Sequence, residues 1–272
     1  MIKTGDNRPI GVFDSGLGGL TAVATLMALL PGEDICYLGD TGRVPYGGRS
    51  RETIIEYVRQ DIEFLLGQEI KAIVVACGTG SAVALDQLRD QYPVPIYGVL
   101  ESAVEAAIQR TATGRIGIIG TEATIASGAY ERLLGANGEF QLISRACPLF
   151  VPLVENGRIH PGDVVIETVV AEYLAPFAEG EVDTLILGCT HYPLLERVIS
   201  RFLGPGVTLV SSGAAAAEFV AQTLAEQGLL AADRAAGSHR YFVTDRVAGF
   251  ERLASLFLQQ NVSGKVEKIS LG

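Results

Sequence analysis

Ala72-Ile73-Val74-Val75-Ala76-Cys77-Gly78-Thr79-Gly80-Ser81 is an apolar run that ends on a cysteine inside a turn of small residues. Its length, its β-branched content and the change of character at Gly78 predict a buried strand that hands a thiol to the turn before a helix. The pattern returns. Thr184-Leu185-Ile186-Leu187-Gly188-Cys189-Thr190-His191-Tyr192-Pro193 has the same order: apolar run, small residue, cysteine, threonine. In an open α/β sheet, ligands bind outside the carboxyl ends of strands, so both thiols fall where chemistry is done. A single free cysteine is as readily a small buried hydrophobe. Two in matching contexts favour the functional reading.

Outward from these runs, strands alternate with helices. Ile10-Gly11-Val12-Phe13 leads into Asp14-Ser15-Gly16-Leu17-Gly18-Gly19 and a helical run from Leu20, a strand, a tight turn and a helix N-terminus. Thr21 stands where a dinucleotide fingerprint needs glycine, and no GK[ST] ending marks a P-loop. A second strand near Asp34–Gly39 ends in Asp40-Thr41-Gly42-Arg43-Val44-Pro45-Tyr46-Gly47-Gly48-Arg49-Ser50, a polar loop with Ser50 placed to cap the helix that follows. Further strands are expected at 94–100, 115–120, 208–210 and 240–243. The prolines of Ala146-Cys147-Pro148-Leu149-Phe150-Val151-Pro152 argue against a central strand there. Alternation of this kind predicts parallel sheets covered by helices, and the repeated cysteine context predicts two similar α/β lobes with strand ends facing a shared cleft.

Composition narrows the function. The chain has 272 residues, 48% of them apolar and 19% charged, ample material for one large or two ordinary domains. A net charge of −10 without a basic stripe argues against nucleic-acid binding. No apolar run reaches the roughly 18 residues of a membrane span, and the first nine residues lack a signal-peptide core, so an intracellular, cytoplasmic protein is expected. Cys36, Cys77, Cys147 and Cys189 are too widely spaced for a CxxC site or a disulfide scaffold. His160, His191 and His239 form no metal motif, and no metal or cofactor is expected.

Two thiols on opposite faces of one carbon could invert an amino acid. An α-hydrogen is a very weak acid, so a base must lie within hydrogen-bond reach and the carbanion must be stabilised. A thiolate can be that base if its pKa is lowered by nearby donors or cations. If one thiolate removes the proton and the opposite thiol supplies another, the centre inverts without pyridoxal phosphate. Gly78, Thr79 and Thr190 offer amides at strand-to-helix turns. Asp14, Ser15, Tyr46 and Gly47 are placed to bind ammonium and carboxylate. Spacing leaves His191 open between polarising Cys189 and packing in the core, and Asp14 open between a functional role and a turn residue.

These residues resemble the glutamate racemases of the cofactor-independent aspartate/glutamate racemase superfamily. The resemblance runs through Val12-Phe13-Asp14-Ser15-Gly16-Leu17-Gly18-Gly19-Leu20-Thr21, Gly39-Asp40-Thr41 with Pro45-Tyr46-Gly47, Gly120-Thr121-Glu122-Ala123-Thr124 with Ser127 and Tyr130, and Leu187 to Leu194. It implies interconversion of L- and D-glutamate for peptidoglycan synthesis, with Cys77 and Cys189 as the acid/base pair. Asp14 would assist Cys77, and His191, backed by Glu155, would assist Cys189. Substrate contacts would fall on Ser15, Pro45, Tyr46, Gly47, Gly78, Thr79, Thr121, Thr124 and Thr190. The implied architecture is two lobes, residues 1–97 with 210–272 and residues 98–209, in a homodimer. The short N-terminus lacks the extension of members activated by a cell-wall precursor, so no such activation is expected.

The chain departs from the family pattern at Gly78, where asparagine is usual, at Gly80, and at Ser102, where proline is common. Gly78 is expected to enlarge or rewire the pocket. This keeps two alternatives in view: a racemase of the same superfamily acting on another amino acid such as aspartate, and a family member serving chiefly as a gyrase-binding protein.

Overall fold

The computed structural model describes residues 5–232, 235–258 and 260–271. Ten strands alternate with helices: β1 Ile10–Asp14, α1 Leu20–Leu29, β2 Ile35–Gly39, α2 Arg51–Leu66, β3 Ala72–Val75, α3 Gly78–Leu88, β4 Ile96–Tyr97, α4 Leu100–Arg110, β5 Arg115–Gly120, α5 Glu122–Ala126, α6 Ala129–Asn137, β6 Gln141–Ala146, α7 Phe150–Glu155, α8 Val164–Leu174, β7 Thr184–Leu187, α9 Glu196–Leu203, β8 Thr208–Ser211, α10 Ser212–Gln227, β9 His239–Val243, α11 Val247–Leu258 and β10 Val266–Lys268. They build a six-stranded sheet in the order β10-β9-β2-β1-β3-β4 and a four-stranded sheet in the order β6-β5-β7-β8. Every pairing in both is parallel.

Burial explains the sequence pattern. Strands β1, β2, β3 and β7 are buried at every residue, so they read as continuous apolar runs rather than alternating ones. The register Val12↔Val74 and Phe13↔Val75 sets β1 beside the first cysteine strand. Ile118↔Ile186 and Ile119↔Leu187 do the same for β5 and the second. Cys77 and Cys189 therefore leave the central region of their respective sheets at the carboxyl ends.

Two strands had no clear signal. Strand β6 is an edge whose residues are exposed or half-buried, and β10 is a three-residue edge, Val-Glu-Lys. Neither carries the apolar run of a central strand. Prolines 148 and 152 are accommodated without a strand: Pro152 sits in the first turn of α7, where a missing N–H costs nothing. Ser50 caps α2 by accepting from the Thr53 N–H at 3.3 Å. Among the described residues, no helix is long and apolar enough to cross a membrane.

One buried ion pair ties the first sheet together. Lys71 Nζ, at the entry to β3, donates to Glu33 Oε2 at 2.6 Å and to the carbonyls of Asp6 and Leu229 at 2.8 Å. Glu33 also accepts from the Ala231 N–H at 2.6 Å. The polar atoms of the pair are thus occupied by each other and by main chain from two distant segments, Asp6 and 229–231. Removing one partner leaves a buried charge. Lys71→Ala is expected to cost about 3–5 kcal/mol of unfolding free energy, read as a lower urea midpoint at unchanged slope.

Candidate active site

A narrow pocket with a cavity volume of about 20 Å³ lies between the carboxyl ends of the two sheets. Residues after β1, β2 and β3 line one side: Ser15, Val44, Pro45, Tyr46, Gly47, Cys77, Gly78 and Thr79. The other side is Thr121 after β5, Val151 in α7, and Gly188, Cys189, Thr190 and His191 after β7. Both thiols face one space. The lining contains no lysine or arginine, so an anion here would be held by amides, hydroxyls and the histidine.

Cys77 occupies the N-cap of α3, and its Sγ accepts from the Gly80 N–H at 3.3 Å. Its thiol is oriented toward Ser15 Oγ at 3.6 Å. Burial, aided by the charge of Asp14, pushes this thiol up to about 12, against the pull of its hydrogen bonds with Gly80 and Ser15. A raised pKa has two consequences: the thiolate is scarcer, and when formed it is a stronger base toward a carbon acid.

Asp14 does not line the cavity. It is fully buried behind it, accepting from the Gly16 N–H at 3.0 Å and from Thr190 Oγ1 at 3.3 Å. The second bond joins the turn after β1 to the turn after β7, so Asp14 links the two halves of the site. Burial raises its carboxyl above the ordinary range, opposed by His191 and by the Gly19 and Gly16 amides.

On the opposite side, Cys189 Sγ lies 3.9 Å from His191 Nδ1. His191 Nε2 lies 3.3 Å from Glu155 Oε1, at the end of α7. Burial would lower the imidazole's pKa, but its contacts with Cys189 and Glu155 outweigh that and raise it to about 10. His191 is therefore cationic at neutral pH and faces the second thiol. Phe150 and Tyr192 pack edge to face at 5.2 Å between these segments, and the Tyr192 hydroxyl donates to the Cys147 carbonyl at 2.9 Å. These contacts hold α7, and with it Glu155, against the β7 turn.

Three threonines close the remaining wall. Thr79 Oγ1 lies 2.9 Å from Thr121 Oγ1 and 3.4 Å from Thr124 Oγ1, and the last two are 2.9 Å apart. Thr121 also caps α5. Thr124 sits behind Thr79 and Thr121 and, like Asp14 and Glu155, outside the lining. The first turn of α3, where helix amides have no partner within the helix, lines the same space through Gly78 and Thr79.

Besides Asp14 and Thr124, which lie outside the lining, Tyr46 and Gly78 also sit differently from the sequence expectation. Tyr46 reaches the cavity, but its hydroxyl is taken up by Asp40 and by Asp61 Oδ2 at 2.8 Å. Arg43 bridges the same acids, at 2.5 Å to Asp40 and 3.1 Å to Asp61. Gly78 does not enlarge the pocket either. A Cβ built there would lie 2.3 Å from the Gly188 carbonyl oxygen, so the room an asparagine side chain would use is already filled by the other half of the site. Asp61 was missed in sequence, although it shares the apolar stripe of α2 with Ile54, Val58 and Leu65. An acid at that spacing is a signal of a buried network. Val44, Val151 and Gly188 carried no such signal.

The profile of the Asp/Glu/Hydantoin racemase family matches residues 43–220. A glutamate racemase from Aquifex aeolicus is 46% identical over 257 residues, 94% of this chain and 96% of that one. The chain belongs to the glutamate racemases of this family. Glutamate racemases are amino-acid isomerases, and the family works without a cofactor. Among solved structures, the glutamate racemase isoform RacE1 from Bacillus anthracis superposes with a TM-score of 0.93 at 40% identity, covering 98% of both chains. The glutamate racemase from Francisella tularensis, solved in complex with D-glutamate, gives 0.89 at 38% identity and the same coverage. Since these racemase relatives act on glutamate by name, the aspartate and gyrase-binding alternatives are set aside.

Proposed function

We propose that the chain interconverts L- and D-glutamate by a two-base mechanism in the cavity between the sheets, with Cys77 and Cys189 exchanging protons at the α-carbon. The observation that carries the reading is that both thiols line one pocket from opposite sheets. Removal of the α-proton by one thiolate pushes an electron pair toward the α-carboxylate, and delivery from the opposite thiol completes inversion. Each proton transfer supplies roughly 10²–10⁴-fold, so carbanion stabilisation must contribute the rest. The first turn of α3, the hydroxyls of Thr79 and Thr121 and the Thr190 turn are the donors for carboxylate, while Ser15 and Gly47 complete the contacts. Pro45, the Tyr46 ring, Val44 and Val151 shape the apolar part of the wall. Thr124 positions the threonine cluster, Asp14 serves the Cys77 side, and His191 with Glu155 serves Cys189.

The two lobes are assigned close to the sequence bounds of 1–97 with 210–272 and 98–209, the return crossing falling after Ser211 because β8, Thr208–Ser211, pairs with β7. The product, D-glutamate, suits a cytoplasmic role in supplying peptidoglycan synthesis and so cell shape, and the chain is proposed to work as a homodimer. Incubation with either enantiomer in deuterated water tests the chemistry, following optical rotation and α-deuterium together. The expected result is decay of rotation to zero with one deuterium per inverted centre, and no exchange with either enantiomer would reject the assignment.

A further inference from the structure

Three glycines face the seam where the carboxyl ends of the two sheets meet. Gly18 follows β1, Gly47 follows β2 and Gly78 opens α3 after β3. Across the seam lie Thr121 after β5, and Gly188 and Thr190 after β7. A Cβ on Gly18 would fall 2.2 Å from Thr190 Oγ1 and 2.8 Å from the Thr190 carbonyl carbon; one on Gly47 would fall 2.7 Å from Thr121 Cβ; one on Gly78, 2.3 Å from the Gly188 oxygen. Carbon atoms in comfortable contact sit about 3.5–4.0 Å apart. None of the three has a positive φ. The backbone would tolerate a side chain at each position, and it is the opposing sheet that does not.

Gly78 differs from the other two. Its obstacle is a main-chain carbonyl oxygen rather than a side chain, and it belongs to the residue whose N–H is bonded to the Ile119 carbonyl at 2.8 Å at the end of β7. It also stands between the two thiols in sequence terms, one residue after Cys77 and opposite the residue before Cys189. Gly80, two residues on, shows the contrast: a Cβ there would meet Val58 Cγ2 at 3.2 Å, within the layer of its own helix pair.

We propose that Gly18, Gly47 and Gly78 are closure stops that set how nearly the two sheets approach over the substrate, and that Gly78 fixes the separation of the turns carrying Cys77 and Cys189. The catalytic consequence rests on the racemase reading, whereas the mechanical one does not. A methyl group at position 78 would hold the turns about 1 Å further apart, a misplacement that can cost roughly 10²-fold in rate.

Iodoacetamide labelling of the four thiols, read by peptide mass spectrometry, separates these consequences. Cys36 and Cys147 are buried outside the cavity and serve as internal references. In Gly78→Ala, Cys77 and Cys189 are expected to label about tenfold faster with Cys36 and Cys147 unchanged, since reactivity follows exposure. Gly47→Ala should give the same selective pattern more weakly, because the Thr121 side chain can yield. Gly48→Ala, where a Cβ would have nothing within 4 Å, should leave all four rates alone. Unchanged rates at Cys77 and Cys189, or equal acceleration of all four, would overturn the proposal. In steady-state kinetics Gly78→Ala is expected to lower kcat roughly 10²-fold with a smaller change in KM; an unchanged kcat would also overturn it. Selective labelling in a chain that racemises nothing would sustain the closure stops and refute the substrate reading instead.

Discussion

Cys77→Ser and Cys189→Ser will each lower glutamate racemisation by roughly 10²–10⁴-fold, equally in both directions, while leaving a one-sided exchange activity. A serine hydroxyl keeps the size of the thiol but is a far poorer acid and base, so the proton path through that face closes. The remaining thiol still reaches the enantiomer whose α-hydrogen points at it. It can remove that hydrogen, exchange it with solvent and return deuterium to the same face. Each variant should therefore incorporate deuterium into a single enantiomer with retention, and the two variants should choose opposite enantiomers. Exchange of both enantiomers by either variant, or undiminished racemisation, would remove that thiol from the mechanism. Fold loss is a small risk, because the substitution is nearly isosteric and the Gly80 N–H that Cys77 accepts can bond a serine oxygen as well.

The environments of the two thiols are unequal, although their sequence contexts are nearly the same. Cys77 has a buried carboxyl behind it and Cys189 an imidazolium beside it. That difference could not be read from the repeated motif, since it depends on which residues other strands bring near. The central strands were legible because strands buried on both faces must be apolar throughout. The cysteine turns were legible because a strand end in a parallel sheet is where ligands sit. Edge strands β6 and β10 lacked that constraint. Tyr46 was expected to bond substrate because the two acids that take its hydroxyl, Asp40 and Asp61, come from one loop and a helix whose mutual packing spacing does not reveal. Gly78 was read as added space, since a missing side chain says nothing of what fills its place. Only the position of the Gly188 carbonyl decides that question.

The inequality of the two thiols leads to the strongest test of His191. L- and D-glutamate are mirror images of equal free energy in water, so the equilibrium constant is unity and kcat/KM must be equal in the two directions for any variant. His191→Gln is expected to lower both by the same factor, roughly 10²-fold. Its one-sidedness appears in isotope effects. For the enantiomer deprotonated by Cys189, the slowed step breaks the substrate's own C–H bond, so the α-deuterium effect on kcat/KM should grow. For the other enantiomer Cys189 delivers a solvent-derived proton, and the solvent effect should grow instead. Parallel growth of one effect in both directions would place the histidine away from Cys189. Stability supplies an independent reading. The folded pKa of His191, about 10, exceeds its ordinary 6.5, so the imidazolium contributes fully below about pH 6.5 and that contribution is lost as pH rises through about 10. The gap in Tm between the parent chain and His191→Gln should therefore shrink between pH 7 and pH 10. A gap independent of pH would mean that the ring packs in the core without carrying the charge that the Cys189 side requires.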